Sequence, residues 1–225
     1  RVVGDSSRIA MPECGIGLVP DVGGSLILAR APGRLGEYLG TTGSRMGPDD
    51  AIHAGFADVY VPELKWDALT AALVETGDPA VIAAHAETPP PGALRALSPQ
   101  IDRHFGGETL HDILNALRAE DSDFARDTLK LLSRNSPLSM ACAIEMIHRL
   151  RGPVVDITRA LGLEYRFTYR AMEQGDFLEG IRAAIIDKDR KPNWKHGLDS
   201  LPGVAVAQML QPLGKDALTL EETGT

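Results

Sequence analysis

The stretch Met11-Pro12-Glu13-Cys14-Gly15-Ile16-Gly17-Leu18-Val19-Pro20-Asp21-Val22-Gly23-Gly24-Ser25 decides how the rest of the chain is read. Glu13 and Asp21 stand eight positions apart, and everything between them is apolar or backbone-permissive, with no cation to neutralise either acid. Upstream, Ile9-Ala10-Met11 reads as the end of a short buried strand. Downstream, Leu26-Ile27-Leu28-Ala29 reads as a helix whose first turn contains Gly23-Gly24. A strand ending at Pro-Glu, a Gly-rich loop and a helix entered at Asp-x-Gly-Gly can aim both acids into one cleft. Desolvation raises both pKa values, while the helix N-terminus favours Asp21 as an anion. Environments that differ in this way let two carboxylates take different acid–base roles. The plainer alternative is a solvated turn in which Asp21 is an N-cap.

The segment resembles the active-site segment of the crotonase (enoyl-CoA hydratase/isomerase) superfamily. Pro12-Glu13, Gly17, Pro20 and Gly23-Gly24 carry the likeness, and Asp21 within Pro-Asp-Val-Gly-Gly is similar to the 3-hydroxyisobutyryl-CoA hydrolase branch. It continues through Gly33-x-Leu35-Gly36-x-Tyr38-Leu39, Thr42-Gly43-x-Arg45 and Ala51-x-x-Ala54-Gly55. It returns at Ser136-Pro137-x-Ser139, Glu164-Tyr165-Arg166 and Asp176-Phe177-x-Glu179-Gly180-Ile181-Arg182-Ala183, and ends around Ile186 to Trp194.

The resemblance implies an α/β fold. Residues 1–61 would form the C-terminal part of a crotonase-type ββα spiral core with the active-site loop. Residues 62–198 would form a mainly α-helical region packing on it, and 199–225 a tail. It implies catalytic roles for Glu13 and Asp21, both also meeting substrate, with Phe177 and Lys188 near the nucleotide end of coenzyme A. The family's oxyanion-hole segment lies N-terminal to Arg1. The expectation is therefore a C-terminal portion that needs an N-terminal portion of the same fold, fused or supplied in trans. No cofactor is expected beyond coenzyme A as part of an acyl-CoA substrate, and a homo-oligomer is compatible. The compartment would be the cytoplasm in a bacterium or the mitochondrial matrix in a eukaryote.

Composition limits the alternatives. A net charge of −8 over 225 residues, without basic runs, argues against non-specific nucleic-acid binding. Cys14 and Cys142 make neither a disulfide framework nor a metal pair, and the six histidines lack paired ligand spacing, so no metal is expected. Cys14 beside Glu13 reads as a buried spacer with a raised pKa. No apolar run approaches bilayer length, so no membrane partner is expected.

Along the chain, Val2-Val3 and Ile9-Ala10-Met11, split by Gly4-Asp5-Ser6-Ser7, suggest a hairpin or adjacent strands. Helices are expected near 23–30, over 35–39 and from Pro48 to a stop at Gly55, and Ala57–Val61 is the last strand. Trp66, Leu69 and Leu73 make one stripe, and Asp78-Pro79 opens a short helix. Residues 87–99, with Pro89-Pro90-Pro91-Gly92, read as a polyproline-like linker. Leu110-Ile113-Leu114-Leu117 form the next stripe, and Phe124-Thr128-Leu129-Leu132 another with Ser122 as cap. Ser136-Pro137 starts a helix carrying Met140, Ile144 and Ile147. Asp156 caps a long helix carrying Ile157, Leu161, Tyr165, Tyr169 and Met172, and Asp176 caps a helix over 177–186. Arg182, Lys188, Arg190, Lys191 and Lys195 against Asp187 and Asp189 could receive coenzyme A phosphates, or form only a solvated turn with Phe177 in the core.

The implied activity is hydrolysis of a short 3-hydroxyacyl-CoA thioester, with 3-hydroxyisobutyryl-CoA first. The alternatives are a hydratase or isomerase of the same fold, or a non-catalytic subunit or fragment that binds a partner.

Overall fold

In the computed structural model, which describes residues 1–152 and 155–220, the chain opens with β1 (Val2–Val3), α1 (Gly24–Arg30), α2 (Leu35–Thr42) and α3 (Pro48–His53). Then come β2 (Val59–Tyr60), α4 (Trp66–Thr76), α5 (Ile82–His85), α6 (Leu94–His104), α7 (Leu110–Arg118) and α8 (Asp123–Leu132). The last helices are α9 (Pro137–Arg149), α10 (Ile157–Ala171), α11 (Phe177–Ile181) and α12 (Gly203–Met209). No described helix is long and apolar enough to cross a membrane. Two compact units divide the chain: Arg1–Ala10 with Arg45–Pro99, and Met11–Ser44 with Gln100–Thr225. This grouping cuts across the sequential division at residue 61.

In the first unit the expected pairing of Val2-Val3 with Ile9 does not form. β1 pairs in parallel with β2, Val2 opposite Val59 and Val3 opposite Tyr60, while Ile9 makes only an antiparallel bridge to Met46. The turn at Gly4–Ser7 exists, but the Asp5 carboxylate accepts from the Tyr60 hydroxyl and from the Glu63 N–H, which binds it to the segment after β2. Gly4 has no side chain because the Trp66 ring lies against it: a methyl there would stand 2.5 Å from Trp66 Cζ2. Trp66 is therefore held at the edge, its N–H donating to the Val61 carbonyl, and of the stripe Trp66-Leu69-Leu73 only Leu69 is buried.

Residues 87–99 are not one linker. Glu87 bridges Tyr60, Asp49 and Asp50 accept the N–H groups of Gly92 and Leu94 at 2.8 Å each, and α6 starts at Leu94. Pro99 lies inside that helix on its exposed side, where water can satisfy the carbonyl left without a donor. Elsewhere local signals match: Pro48 is at the first helical position of α3, and Gly55 adopts a φ of 78°.

The second unit is built around α9. Ser136 accepts from the Ser139 N–H, Pro137 fills the first position, and ten of its residues are buried, from Pro137 to Ile147. α1, α2, α7, α10 and α12 all pack on it. In α2 every residue is buried, including Glu37, whose carboxylate is matched by Arg34, His148 and Arg151 at 3.0, 3.1 and 2.6 Å. α7 buries the expected Leu110, Ile113, Leu114 and Leu117 behind a reciprocal Thr109–Asp112 capping box, and Ser122 caps α8.

Two expectations fail here. α10, capped by Asp156, buries Ala160, Leu163, Glu164, Phe167 and Ala171, leaving Ile157, Tyr169 and Met172 about half exposed. The stripe of large apolar residues marks the wrong face, because the packed face is built from two alanines, one leucine, one phenylalanine and a carboxylate. The expected helix over 177–186 does form, as α11 running directly into a π-helical turn, Arg182–Ile186, closed by the Asp187 N–H on the Arg182 carbonyl. Asp176 does not cap it, since its carboxylate is used elsewhere. The tail also contains α12, which packs on α9 and α10.

Truncating Phe167 to alanine should therefore destabilise the protein by about 3–5 kcal/mol, the range for a buried aromatic. Tyr169→Ala should cost under about 1 kcal/mol. Equal losses in urea denaturation would restore the opposite face of α10 to the core.

Candidate functional site

Glu13 begins a single 3-10 turn, Glu13–Ile16, rather than ending a strand. The turn closes when Gly17 adopts a φ of 76°, where a methyl group would stand 2.5 Å from the Asp176 carbonyl carbon. A side chain at Gly180 would likewise collide with the Ile16 carbonyl oxygen. From behind, the Ser136 N–H donates to the Cys14 carbonyl at 2.9 Å. The Ser136 hydroxyl donates to Asp176 at 2.6 Å, and the second Asp176 oxygen accepts from the Lys195 N–H at 2.9 Å. Cys14 is buried with its thiol on the Gly40 carbonyl, and burial pushes its pKa well up, so it is a spacer.

These contacts fix the backbone and leave the Glu13 side chain half-buried, with Oε2 fully covered and without a hydrogen-bond partner among the described residues. Burial raises the Glu13 pKa; its own backbone N–H opposes the rise, and the charge of Asp21 adds to it. The two acids thus lie within electrostatic reach of each other. Burial also raises Asp21, opposed by a hydrogen bond from its own backbone N–H.

The Asp21 carboxylate is not the cap of α1. That position belongs to Gly23, with a φ of 83°, after Val22 at 55°. The N–H groups of Gly23 and Ser25 donate to Glu164 at 2.9 and 3.1 Å, and the Ser25 hydroxyl bonds the same carboxylate. The helix N-terminus expected to favour ionised Asp21 is occupied by the Glu164 side chain.

Phe177 is half-buried, and its backbone nitrogen lies against Gly17, which brings the start of α11 to the acid loop. Lys188 is exposed, in a left-handed conformation at φ 56°, in the turn after the π-helical segment. The expected basic cluster is smaller than its sequence suggests. Arg182 is taken by Glu179, Asp187 and Asp189 at 2.7, 2.6 and 2.8 Å, and the Lys195 ammonium by the Glu173 carbonyl. Lys188, Arg190 and Lys191 are the exposed cations of this turn. A separate cavity of about 380 Å³, lined by Leu110, Ala141, Glu145, Arg149, Leu201 and Val206 among others, includes none of these residues. Among the described residues no group of three or more His, Cys, Asp or Glu is arranged to hold a metal.

From sequence, Ser136 and Asp176 receive only helix-cap roles and Glu164 none, although each stands in a motif that marks the resemblance. One signal was available for Glu164: with Ala160, Leu163, Phe167 and Ala171 it completes a helical face, and a carboxylate on such a face needs buried donors.

A family model described as Enoyl-CoA hydratase/isomerase matches residues 1–210. The 3-hydroxyisobutyryl-CoA hydrolase, mitochondrial, of Rattus norvegicus is 34% identical over 206 residues, covering 87% of this chain and 53% of the relative. The Xenopus laevis protein of the same name is 35% identical with the same coverage. 3-Hydroxyisobutyryl-CoA hydrolase 1 of Arabidopsis thaliana is 34% identical, covering 87% and 55%. The chain thus spans about half the length of these relatives. Among solved structures, an enoyl-CoA hydratase from Rhodobacter sphaeroides superposes with a TM-score of 0.91 at 55% identity, covering 98% of this chain and 64% of the other. A carnitinyl-CoA dehydratase from Mycobacterium thermoresistibile gives 0.90 at 37% identity, covering 99% and 64%.

The raised Glu13 pKa has a thermodynamic consequence. An acid with a folded pKa above its unfolded value supports the fold fully below the unfolded value, and loses that contribution as pH rises through the folded one. Glu13→Gln keeps the neutral form at every pH. The variant should be the more stable protein at pH 7, with the difference disappearing below about pH 4, the ordinary glutamate range. Thermal melts between pH 3.5 and 8 test this; a variant destabilised at pH 7 contradicts it.

Proposed function

The chain belongs to the enoyl-CoA hydratase/isomerase family, and on that premise we propose that the protein of which it forms part hydrolyses a short 3-hydroxyacyl-CoA thioester, 3-hydroxyisobutyryl-CoA first, a step of valine degradation. The observation that carries the reading is a desolvated Glu13 with an unpartnered oxygen, set beside an uncapped Asp21 in a chain whose relatives bear that hydrolase name. Glu13 attacks the thioester carbonyl or activates the water that does. Its raised pKa brings it closer to the range in which a carboxylate is an effective base near neutrality. Asp21 receives the substrate 3-hydroxyl or assists proton transfer.

The oxyanion that forms needs preorganised N–H donors. On this proposal they come from an N-terminal portion of the same fold, fused or in trans. The exposed Lys188 would meet the phosphates of coenzyme A, and Phe177 its nucleotide end. Where the relatives are mitochondrial proteins, the matrix is the corresponding compartment for a eukaryotic source.

Hydration of an enoyl-CoA is the second reading, favoured by the 55% identity to a structure named as an enoyl-CoA hydratase. Free thiol release against loss of enoyl absorbance separates the two. In the complete enzyme Glu13→Gln should lower thiol release at least about a hundredfold. A folded variant with near-normal turnover removes Glu13 from the mechanism.

Asp21→Ala should penalise 3-hydroxyisobutyryl-CoA far more than isobutyryl-CoA. A site built around a hydroxyl loses much more when one partner is missing than an apolar pocket loses per methylene. Equal losses in kcat/KM on the two thioesters would leave Asp21 a structural residue of the loop.

A further inference from the structure

We propose that Glu164 is a positioning residue for Asp21: by occupying the backbone N–H groups at the start of α1, it keeps the Asp21 side chain off them and free for substrate. The proposal rests on the reading of Asp21 as a group that meets the substrate.

Four observations converge on it. Glu164 is 3% exposed and lies on the packed face of α10, so its carboxylate is directed inward at the cost of its hydration. Its recorded side-chain partners are the Gly23 and Ser25 N–H groups and the Ser25 hydroxyl, all neutral; among the described residues no cation bonds it. Among the described residues it is therefore not half of an ion pair, and all of its side-chain bonds go to the start of α1.

The third observation is conformational. Val22 and Gly23 are consecutive left-handed residues, at φ 55° and 83°. Val22 is β-branched and 88% exposed, so no packing of its own side chain maintains the conformation. Strained backbone persists only where its surroundings over-determine it, and the bond from the Gly23 N–H to Glu164 is such a restraint. The fourth is competition. Asp21 stands just ahead of the same N–H groups and is of a residue type that caps helices readily. With Glu164 in place Asp21 does not cap, and its carboxylate lies within electrostatic reach of Glu13.

The test is a double-mutant cycle in the complete enzyme, following thiol release from 3-hydroxyisobutyryl-CoA with Glu164→Gln, Asp21→Asn and the pair. Glu164→Gln should lower kcat roughly tenfold, as misplacement of a reacting group does, with KM changed less than about twofold. In the Asp21→Asn background the same change should cost less than about twofold, because no carboxylate is left to misplace. Amide hydrogen exchange should show Gly23 and Ser25 protected in the parent and faster in Glu164→Gln. If Glu164→Gln does not fold, Ser25→Ala removes one donor and should give a smaller kcat loss with the same dependence on Asp21. Equal losses with and without Asp21, or no loss, overturn the proposal. A parent that hydrates an enoyl-CoA but releases no thiol overturns the hydrolase reading alone, and the same cycle scored on hydration then decides the role of Glu164.

Discussion

Ser136 is the residue on which the arrangement of the acid loop depends. It is fully buried, and each of its polar groups is committed to a different segment: the N–H to Cys14, the hydroxyl to Asp176 and to the Ser139 N–H, the carbonyl to the Met140 N–H. One residue thus starts the central helix α9, seats the turn that carries Glu13 and anchors the approach to α11. The reason is the obligation of buried backbone groups to find partners. A 3-10 turn pressed into a core leaves carbonyls that its own short ladder cannot satisfy, and leaving one unmet costs about 1–3 kcal/mol. Asp176, 1% exposed, completes the arrangement by joining Ser136 to the Lys195 N–H.

Where local chemistry alone decides, the fold was legible in the residues. Ser122, Ser136-Pro137 and Asp156 start helices because a side-chain oxygen meets a free N–H three residues on, wherever the helix later packs. Strand partners were not legible. Val2-Val3 has a nearer apolar run at Ile9, yet pairs with Val59-Tyr60, because Asp5 ties the turn between them to Tyr60 and Glu63. The proline-rich segment misled for a related reason: Asp49 and Asp50 supply from elsewhere in the chain the acceptors that let α6 begin at Leu94.

The site shows the same divide. The two acids could be read from a Gly-rich loop that contains no cation, and in the structure burial raises the pKa of both, with the charge of Asp21 adding to the rise at Glu13. The atoms that hold them could not, since Glu164 lies 141 residues from Gly23 and nothing in its neighbourhood announces the partner. Charge counting failed for the complementary reason. Arg182 belongs to a basic run in sequence, but the π-helical turn folds Asp187 and Asp189 back beside Glu179, leaving the arginine neutralised within the protein.

The contacts of Gly17 and Gly180 with backbone opposite them bear on how this loop can vary in sequence. Each glycine stands where even a methyl group would strike main-chain atoms rather than a side chain able to rotate away. The two surfaces are therefore pressed together with no adjustable layer between them. In a combinatorial library those positions would return almost only the parental residue, while the exposed Val22 would accept broader replacement, being already in a conformation that glycine or asparagine adopts more readily. Variation is accordingly open at the rim of the loop and closed at its floor.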